Sequence, residues 1–272
     1  MSPMLNIAVR AARAAGNIIL RYADRLDRLT VTRKSLGEFV TEVDKMAEEA
    51  IVDTILRVYP DHSILAEESG RREGSEFCWI IDPLDGTTNF IHGFPQFSVS
   101  IGLAYRDRLE QGVVYDPLRE ELFTATRGEG ARLNDRRIRV RPCKGMEDAL
   151  IGTGFPYRDF RHMDAYLSIL KNFASTTAGI RRPGSAALDL ASVAAGRFDG
   201  FWEFDLKPWD MAAGALLVLE AGGMVADPQG GEGYLQSGNI VAASPKVFDA
   251  MLRTMQPYRR FLEDKNLDDL AR

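Results

Sequence analysis

Cysteine and histidine are scarce in this chain of 272 residues, which has two cysteines and three histidines. Cys78 and Cys143 lie far apart and belong to no Cys-x-x-Cys pair, so no disulfide framework is expected and both read as ordinary thiols of a reducing cytosol. His62, His92 and His162 are isolated, without metal-ligand spacing, and read as structural. Long hydrophobic runs are also missing. The longest, around residues 212–219, stops at Glu220, short of the roughly 20 residues a membrane span needs. Arg10 and Arg13 interrupt the N-terminal segment before an apolar core long enough for a signal peptide. A soluble, cytoplasmic protein without a membrane partner is the expectation. Positive charge is not in excess either: the net charge is −5, which argues against a general nucleic-acid binder. No repeat and no low-complexity linker interrupts the chain.

What is present is an ordinary globular composition, 45% hydrophobic and 27% charged, enough for a sizeable core. Leu5, Ala8, Ala12, Ala15, Ile19 and Tyr22 recur at helical spacing. A second helix is expected over 43–58, with Thr41 as N-cap, Asp44 as the capping-box acid and Pro60 as its stop. The period then changes to that of strands at 63–66, 78–81, 97–105, 111–115 and 121–126, with a hairpin around 106–110 and a tight turn at Asn134-Asp135. From about residue 148 strands (149–153, 198–203, 240–243) alternate with helices (163–173, 186–195, 208–221, 247–255), and a charged tail follows from Pro257. The pattern predicts layered helices and sheets in two sub-domains, an N-terminal α+β unit over 1–145 and an α/β unit over 146–272.

The densest chemistry lies in Trp79-Ile80-Ile81-Asp82-Pro83-Leu84-Asp85-Gly86-Thr87-Thr88-Asn89-Phe90. An apolar strand delivers two aspartates to its C-terminal end. Pro83 holds Asp82 extended, and a turn after Pro83 is expected to bring Asp82 and Asp85 to one side with the Leu84 carbonyl exposed between them. Hard oxygens so arranged suit magnesium. Gly86 lets backbone approach an anion, and Thr87, Thr88 and Asn89 are N-cap types, so a helix start facing a phosphate is expected here. Glu67-Glu68 ends the strand over 63–66, and Asp210 lies in the first turn of the helix from Pro208.

These motifs resemble the inositol monophosphatase family, in particular its bacterial SuhB-type branch, over residues from about 4 to 255; the segments at 79–90 and 209–223 match its two signatures. The resemblance implies an αβαβα layered sandwich of the sugar-phosphatase type. It implies metal binding by Glu67, Asp82, Leu84 (through its carbonyl), Asp85 and Asp210, with two to three magnesium ions, the third weaker and touching Glu67. Thr87 paired with Asp44 is then expected to orient the attacking water and take part in its deprotonation, with Glu67 counted among the catalytic groups. Phosphate is expected on the backbone of Gly86 and Thr87 and on Gly184-Ser185-Ala186. Substrate contacts are expected from Asp85 and Asp210 as well, and inositol hydroxyls on Glu203.

The activity implied is hydrolysis of inositol monophosphate by in-line attack of water, sensitive to lithium. 3′-Phosphoadenosine 5′-phosphate and fructose 1,6-bisphosphate are the alternative substrates. A homodimer is implied, with Arg181-Arg182 at or near its interface. The other reading is a binding role: SuhB-type members resemble transcription antitermination factors, with RNA polymerase or Nus factors as partners. The basic run Arg132, Arg136, Arg137, Arg139, Arg141 and Lys144 fits that role, with Arg137, Arg139 and Arg141 expected on one face of a strand.

Overall fold

The computed structural model describes residues 2–23, 25–26, 31–35, 38–156, 160 and 163–261; His162 and the tail beyond 261 lie outside them. In chain order the elements are α1 (Pro3–Ala23), β1 (Val31–Ser35), β2 (Glu38–Thr41), α2 (Glu42–Leu56), β3 (Ser63–Ala66), β4 (Gly70–Arg72), β5 (Phe77–Asp85), α3 (Thr87–Ile91), β6 (Ser98–Tyr105), β7 (Arg108–Asp116), β8 (Glu121–Thr126), β9 (Gly130–Leu133) and β10 (Arg136–Ile138). There follow β11 (Leu150–Thr153), α4 (Met163–Thr176), β12 (Gly179–Arg181), α5 (Ala186–Ala194), β13 (Gly200–Glu203), α6 (Pro208–Glu220), β14 (Met224–Ala226), α7 (Tyr234–Ser237), β15 (Ile240–Ala243) and α8 (Pro245–Met255).

Strands order as β10-β9-β8-β7-β6-β5-β3-β4 in an eight-stranded sheet and as β12-β11-β13-β15-β14 in a five-stranded one, with β1 and β2 a separate hairpin. The larger sheet is antiparallel except where β3 runs parallel to β5. Alternation along the strands divides its faces. Trp79, Ile81, Val99, Ile101, Leu103, Val113 and Tyr115 join α1 and α2 in one core. Ile80, Ala104 and Val114 join α5 and α6 in another, which also takes Phe201, Ile240 and Ala242 from the smaller sheet. The opposite face of that sheet, with Ile151, Trp202 and Val241, packs on α4 and α8. The order of layers is therefore helix, sheet, helix, sheet, helix, as the resemblance implied.

Helix α6 lies very close to the larger sheet, because Gly102 and Gly112 face each other across β6 and β7. A Cβ on Gly112 would stand 2.8 Å from the Ala213 carbonyl oxygen, and one on Gly102 would stand 3.0 Å from the Ala212 Cβ. Two bare backbones opposite two alanines set the depth of the helix that carries Asp210.

Three local expectations are corrected. No turn follows Pro83: β5 continues through it to Asp85. The helix after Asp85 spans only Thr87–Ile91 and is capped by Gly86 in the left-handed region (φ 95°), not by Thr87, Thr88 or Asn89, because the chain must reverse sharply on leaving the strand. The arginines 137, 139 and 141 do not share a strand, since β10 ends at Ile138. Arg141 instead forms a bidentate pair with the buried Asp199, at 2.8 and 2.7 Å.

Candidate active site

The site begins as a register effect. Asp82 pairs with Ser100 on β6 and Asp85 with Ser98, so three steps along β5 match two along β6. That bulge inserts one residue into the alternation. Leu84 takes it up, turning into the core that holds Trp79 and Ile81. Asp85 thereby returns to the face of Asp82, the face that looks toward α5 and α6.

Parallel pairing adds the next carboxylate. Ala66 sits opposite Ile81, and the Glu67 N–H donates to the Ile81 carbonyl at 3.2 Å, which places Glu67 beside Asp82. Asp210 comes from across the layer: Ser100 Oγ donates to the Trp209 carbonyl at 3.1 Å, anchoring the first turn of α6 opposite Asp82, and Asp210 accepts from the Lys207 N–H at 2.7 Å. Asp85 is gripped by α5, through Ser185 Oγ and the Ala187 N–H at 2.8 Å, both on Oδ2.

The electrostatics show how closely these acids are pressed together. Asp82 and Asp85 are 2% and 8% exposed. Burial, then Glu67, Asp85 and Asp210, drive the Asp82 carboxyl well above the usual range. Burial and Asp210 push Asp85 up to about 7, although Ser185, Ala187 and Ala186 pull the other way. Among the described residues no three His, Cys, Asp or Glu side chains already close on one point as a finished cage. The available ligands are all oxygens, and clustered buried carboxylates are relieved by a hard divalent cation, so Glu67, Asp82, Asp85, Asp210 and the Leu84 carbonyl fit magnesium by chemistry.

A second arm reaches in from α2. Thr41 caps the helix and Asp44 closes the capping box, as the spacing predicted. The Thr41 N–H and Oγ1 both donate to Asp44 Oδ2, at 2.8 and 2.6 Å. Asp44 Oδ1 is left for Thr87, whose Oγ1 lies 3.0 Å away and also 3.0 Å from the Leu84 carbonyl. Asp44 is fully buried, and that burial raises its proton affinity while the Thr41 and Thr87 hydrogen bonds lower it.

The segment Gly184-Ser185-Ala186 is tied to the Gly86 turn. Asn89 Nδ2 lies 2.8, 2.9 and 3.1 Å from the carbonyls of Gln96, Pro183 and Gly184. Gly86 has no room for a side chain, since a Cβ would meet the Gln96 carbonyl oxygen at 2.8 Å. Glu203 ends β13, whose neighbour Thr153 on β11 leads into Gly154. There a Cβ would collide with the Glu203 carboxylate.

The structure thus brings Glu67, Asp82, Leu84, Asp85, Gly86, Thr87, Ser185 and Asp210 to the C-terminal end of β5, with Asp44 hydrogen-bonded to Thr87 and Glu203 at the end of β13 in the smaller sheet. His62 is stacked between Tyr59 and Phe77, accepting from Trp79 Nε1 at 3.0 Å, and His92 Nδ1 contacts the Thr88 carbonyl at 2.8 Å. Sequence reasoning missed Asn89 as a cross-link and Asp189 altogether, a carboxylate buried to 1% exposure on α5. Its spacing of one helical turn from Ser185 was the available signal.

Residues 1–258 match the inositol monophosphatase family. The Nus factor SuhB of Pseudomonas aeruginosa is 56% identical over 264 residues, covering 95% of this chain and 97% of that protein. The structure of the extragenic suppressor protein suhB from Bartonella henselae superposes with a TM-score of 0.91 at 44% identity, covering 94% of this chain and 99% of the other. That of the inositol monophosphatase from Anabaena (Nostoc) sp. PCC 7120 does so at 0.83 and 40% identity, covering 93% and 95%. With matches of this extent and the carboxylates assembled as described, the chain belongs to the inositol monophosphatase family.

Proposed function

We propose that this chain is a magnesium-dependent phosphatase that hydrolyses inositol monophosphate to inositol and phosphate. The observation that carries the reading is the gathering of Glu67, Asp82, Asp85 and Asp210 from three separate segments, with Glu67, Asp85 and Asp210 each raising the proton affinity of Asp82. Those carboxylates and the Leu84 carbonyl would hold two to three magnesium ions. Magnesium, when bound, supplies Lewis-acid polarisation of water and phosphoryl oxygens.

The remaining chemistry belongs to the chain. Thr41 fixes Asp44 Oδ2, so that Oδ1 is held toward Thr87. Thr87 donates to Asp44 and turns its lone pairs to the attacking water. Asp44 takes the proton as the water oxygen bonds to phosphorus; the ester P–O bond opposite it breaks, and the leaving oxygen takes a proton from solvent to become the inositol hydroxyl. Backbone N–H groups of Gly86, Thr87 and the Gly184-Ser185-Ala186 turn hold the phosphate oxygens, and Glu203 accepts from inositol hydroxyls.

Phosphate release from inositol 1-phosphate with magnesium, and its loss on adding lithium, tests this directly. Release from 3′-phosphoadenosine 5′-phosphate or fructose 1,6-bisphosphate alone would reassign the substrate. Absence of release from any phosphate ester would end the enzymatic reading.

A second role is supported by the name of the Pseudomonas relative, a Nus factor. A cytoplasmic homodimer that associates with RNA polymerase or Nus factors while retaining the phosphatase site is the reading we draw from it. Arg132 and Arg136 are exposed on β9 and β10, away from the carboxylates. Recovery of RNA polymerase with the wild-type chain and its loss on neutralising those arginines is the outcome this role requires.

A further inference from the structure

Two carboxylates stand one turn apart on the same face of α2, Asp44 at 0% and Glu48 at 3% exposure. Asp44 meets the turn after β5 through Thr87. Glu48 meets the turn after β3: Oε2 accepts from the Glu68 N–H at 2.8 Å and Oε1 from the Ser69 N–H at 2.7 Å. Strands β3 and β5 are parallel neighbours, so both turns leave the sheet at the same end, and α2 braces the two together.

The turn held by Glu48 is short. Ala66 pairs with Gly70 across β3 and β4, which leaves Glu67, Glu68 and Ser69 between them. All three N–H groups donate outside the turn, that of Glu67 to the Ile81 carbonyl at 3.2 Å and the other two to Glu48. Peptide units are planar, so fixing these amides fixes the backbone on both sides of the Glu67 Cα. The direction of the Glu67 side chain is therefore set by β5 on one side and α2 on the other.

The burial pattern is that of an anchor and not of a surface contact. Glu48 is buried, whereas Glu68 is half-buried and Ser69 exposed. Val43, Ala47 and Ile51 seat the same helix in the core against Trp79 and Ile81 of β5, so Glu48 cannot follow the turn if it moves. Both oxygens of a carboxylate spent on backbone amides make charge-assisted hydrogen bonds, stronger than neutral ones.

We infer that Glu48 is a positioning residue for the metal centre: by clamping the Glu68 and Ser69 amides it aims the Glu67 carboxylate at the cation shared with Asp82. The inference rests on the reading of Glu67 as a metal ligand and adds the group that holds it in place.

The test is direct titration of the metal-free full-length chain with manganese(II) alone, free ion being counted by electron paramagnetic resonance. Glu48→Gln keeps the shape but puts an amide donor against one of the two N–H groups. It is expected to weaken manganese binding roughly tenfold, the scale of losing a group that orients a metal ligand. Glu67→Gln alone is expected to weaken binding as well, and Glu48→Gln is expected to add nothing in the Glu67→Gln background. Unchanged binding by Glu48→Gln overturns the inference, as does an equal further loss in the Glu67→Gln background, because a merely structural role would act whether or not Glu67 is a ligand.

Should Glu48→Gln fail to fold, amide hydrogen exchange in the wild-type chain decides instead. Saturating magnesium is expected to slow exchange at the Glu68 and Ser69 amides, since a turn coupled to the site is tightened by its ligand; exchange there that magnesium leaves unchanged overturns the inference. A wild-type chain that binds no manganese would remove the metal reading itself, and the inference with it.

Discussion

Thr87 Oγ1 stands 3.0 Å from Asp44 Oδ1, joining the turn after β5 to the first turn of α2 across 43 residues of sequence. The same carboxylate that closes the capping box of α2 therefore also meets the turn that follows Asp85. Its two oxygens divide their partners, Oδ2 to Thr41 and Oδ1 to Thr87, and the base role proposed for Asp44 falls to Oδ1. Asp44→Asn keeps the shape but cannot take a proton. It should lower kcat for phosphate release by about 10²–10³-fold with little change in KM, and steady-state kinetics against wild type checks this.

Metal-free protein should lose stability as pH rises from about 4 to about 7. Asp85 holds its proton up to about 7 in the folded chain, against an ordinary value of 3.8, and Asp82 is shifted the same way. Over that window the folded state binds more protons than the unfolded one, so the slope of stability with pH is negative. Thermal denaturation in chelator should show the melting temperature falling across the window. Added magnesium should raise it most at the high-pH end, where the carboxylates are ionised.

Gly112→Ala tests how α6 is seated. The new Cβ would meet the Ala213 backbone at 2.8 Å, so the helix must move out. Overpacking of this kind costs about 1–3 kcal/mol, and Asp210 would shift with the helix. A lower melting temperature together with a raised magnesium requirement is expected; a wild-type magnesium titration would separate α6 seating from the ligand set.

Gly154→Ala should act on substrate rather than metal. Its Cβ would overlap Glu203 Oε1 and displace that carboxylate. KM for inositol 1-phosphate should rise while the magnesium dependence of turnover stays as in wild type.

Asn89→Ala would strip the donor shared by the Gln96, Pro183 and Gly184 carbonyls. Leaving partly buried carbonyls unmet costs about 1–3 kcal/mol. The fall in chemical-denaturation midpoint should come with weaker inhibition by inorganic phosphate, because the Gly86 and Gly184 turns would no longer be held together.

Much of this architecture is legible in the chain itself, because local rules govern it. The helical recurrence of Leu5 to Tyr22 and the Thr41–Asp44 pair at the start of α2 follow from spacing alone, as does the Asn134-Asp135 turn, where both residues take positive φ (46° and 65°). The short strands β1, β2, β4, β9, β12 and β14 were not, since they lack an apolar run as long as the four residues of β15. The hairpin after β6 was expected too wide: Arg106 and Asp107 turn it by themselves, at φ 49° and 63°.

The sequence by itself determined which residues are able to do chemistry: strands that end in carboxylates, a proline that keeps Asp82 extended, a glycine where backbone must reverse. It could not determine that Asp82 and Asp85 share a face, because the bulge against Ser98 and Ser100 exists only once β6 is paired. Nor could it show that Ser185 reaches Asp85 across 100 residues, or that Asp189 lies sealed beneath them. Those relations come from packing between layers, where burial and the approach of like charges depend on what the rest of the chain brings to the same place.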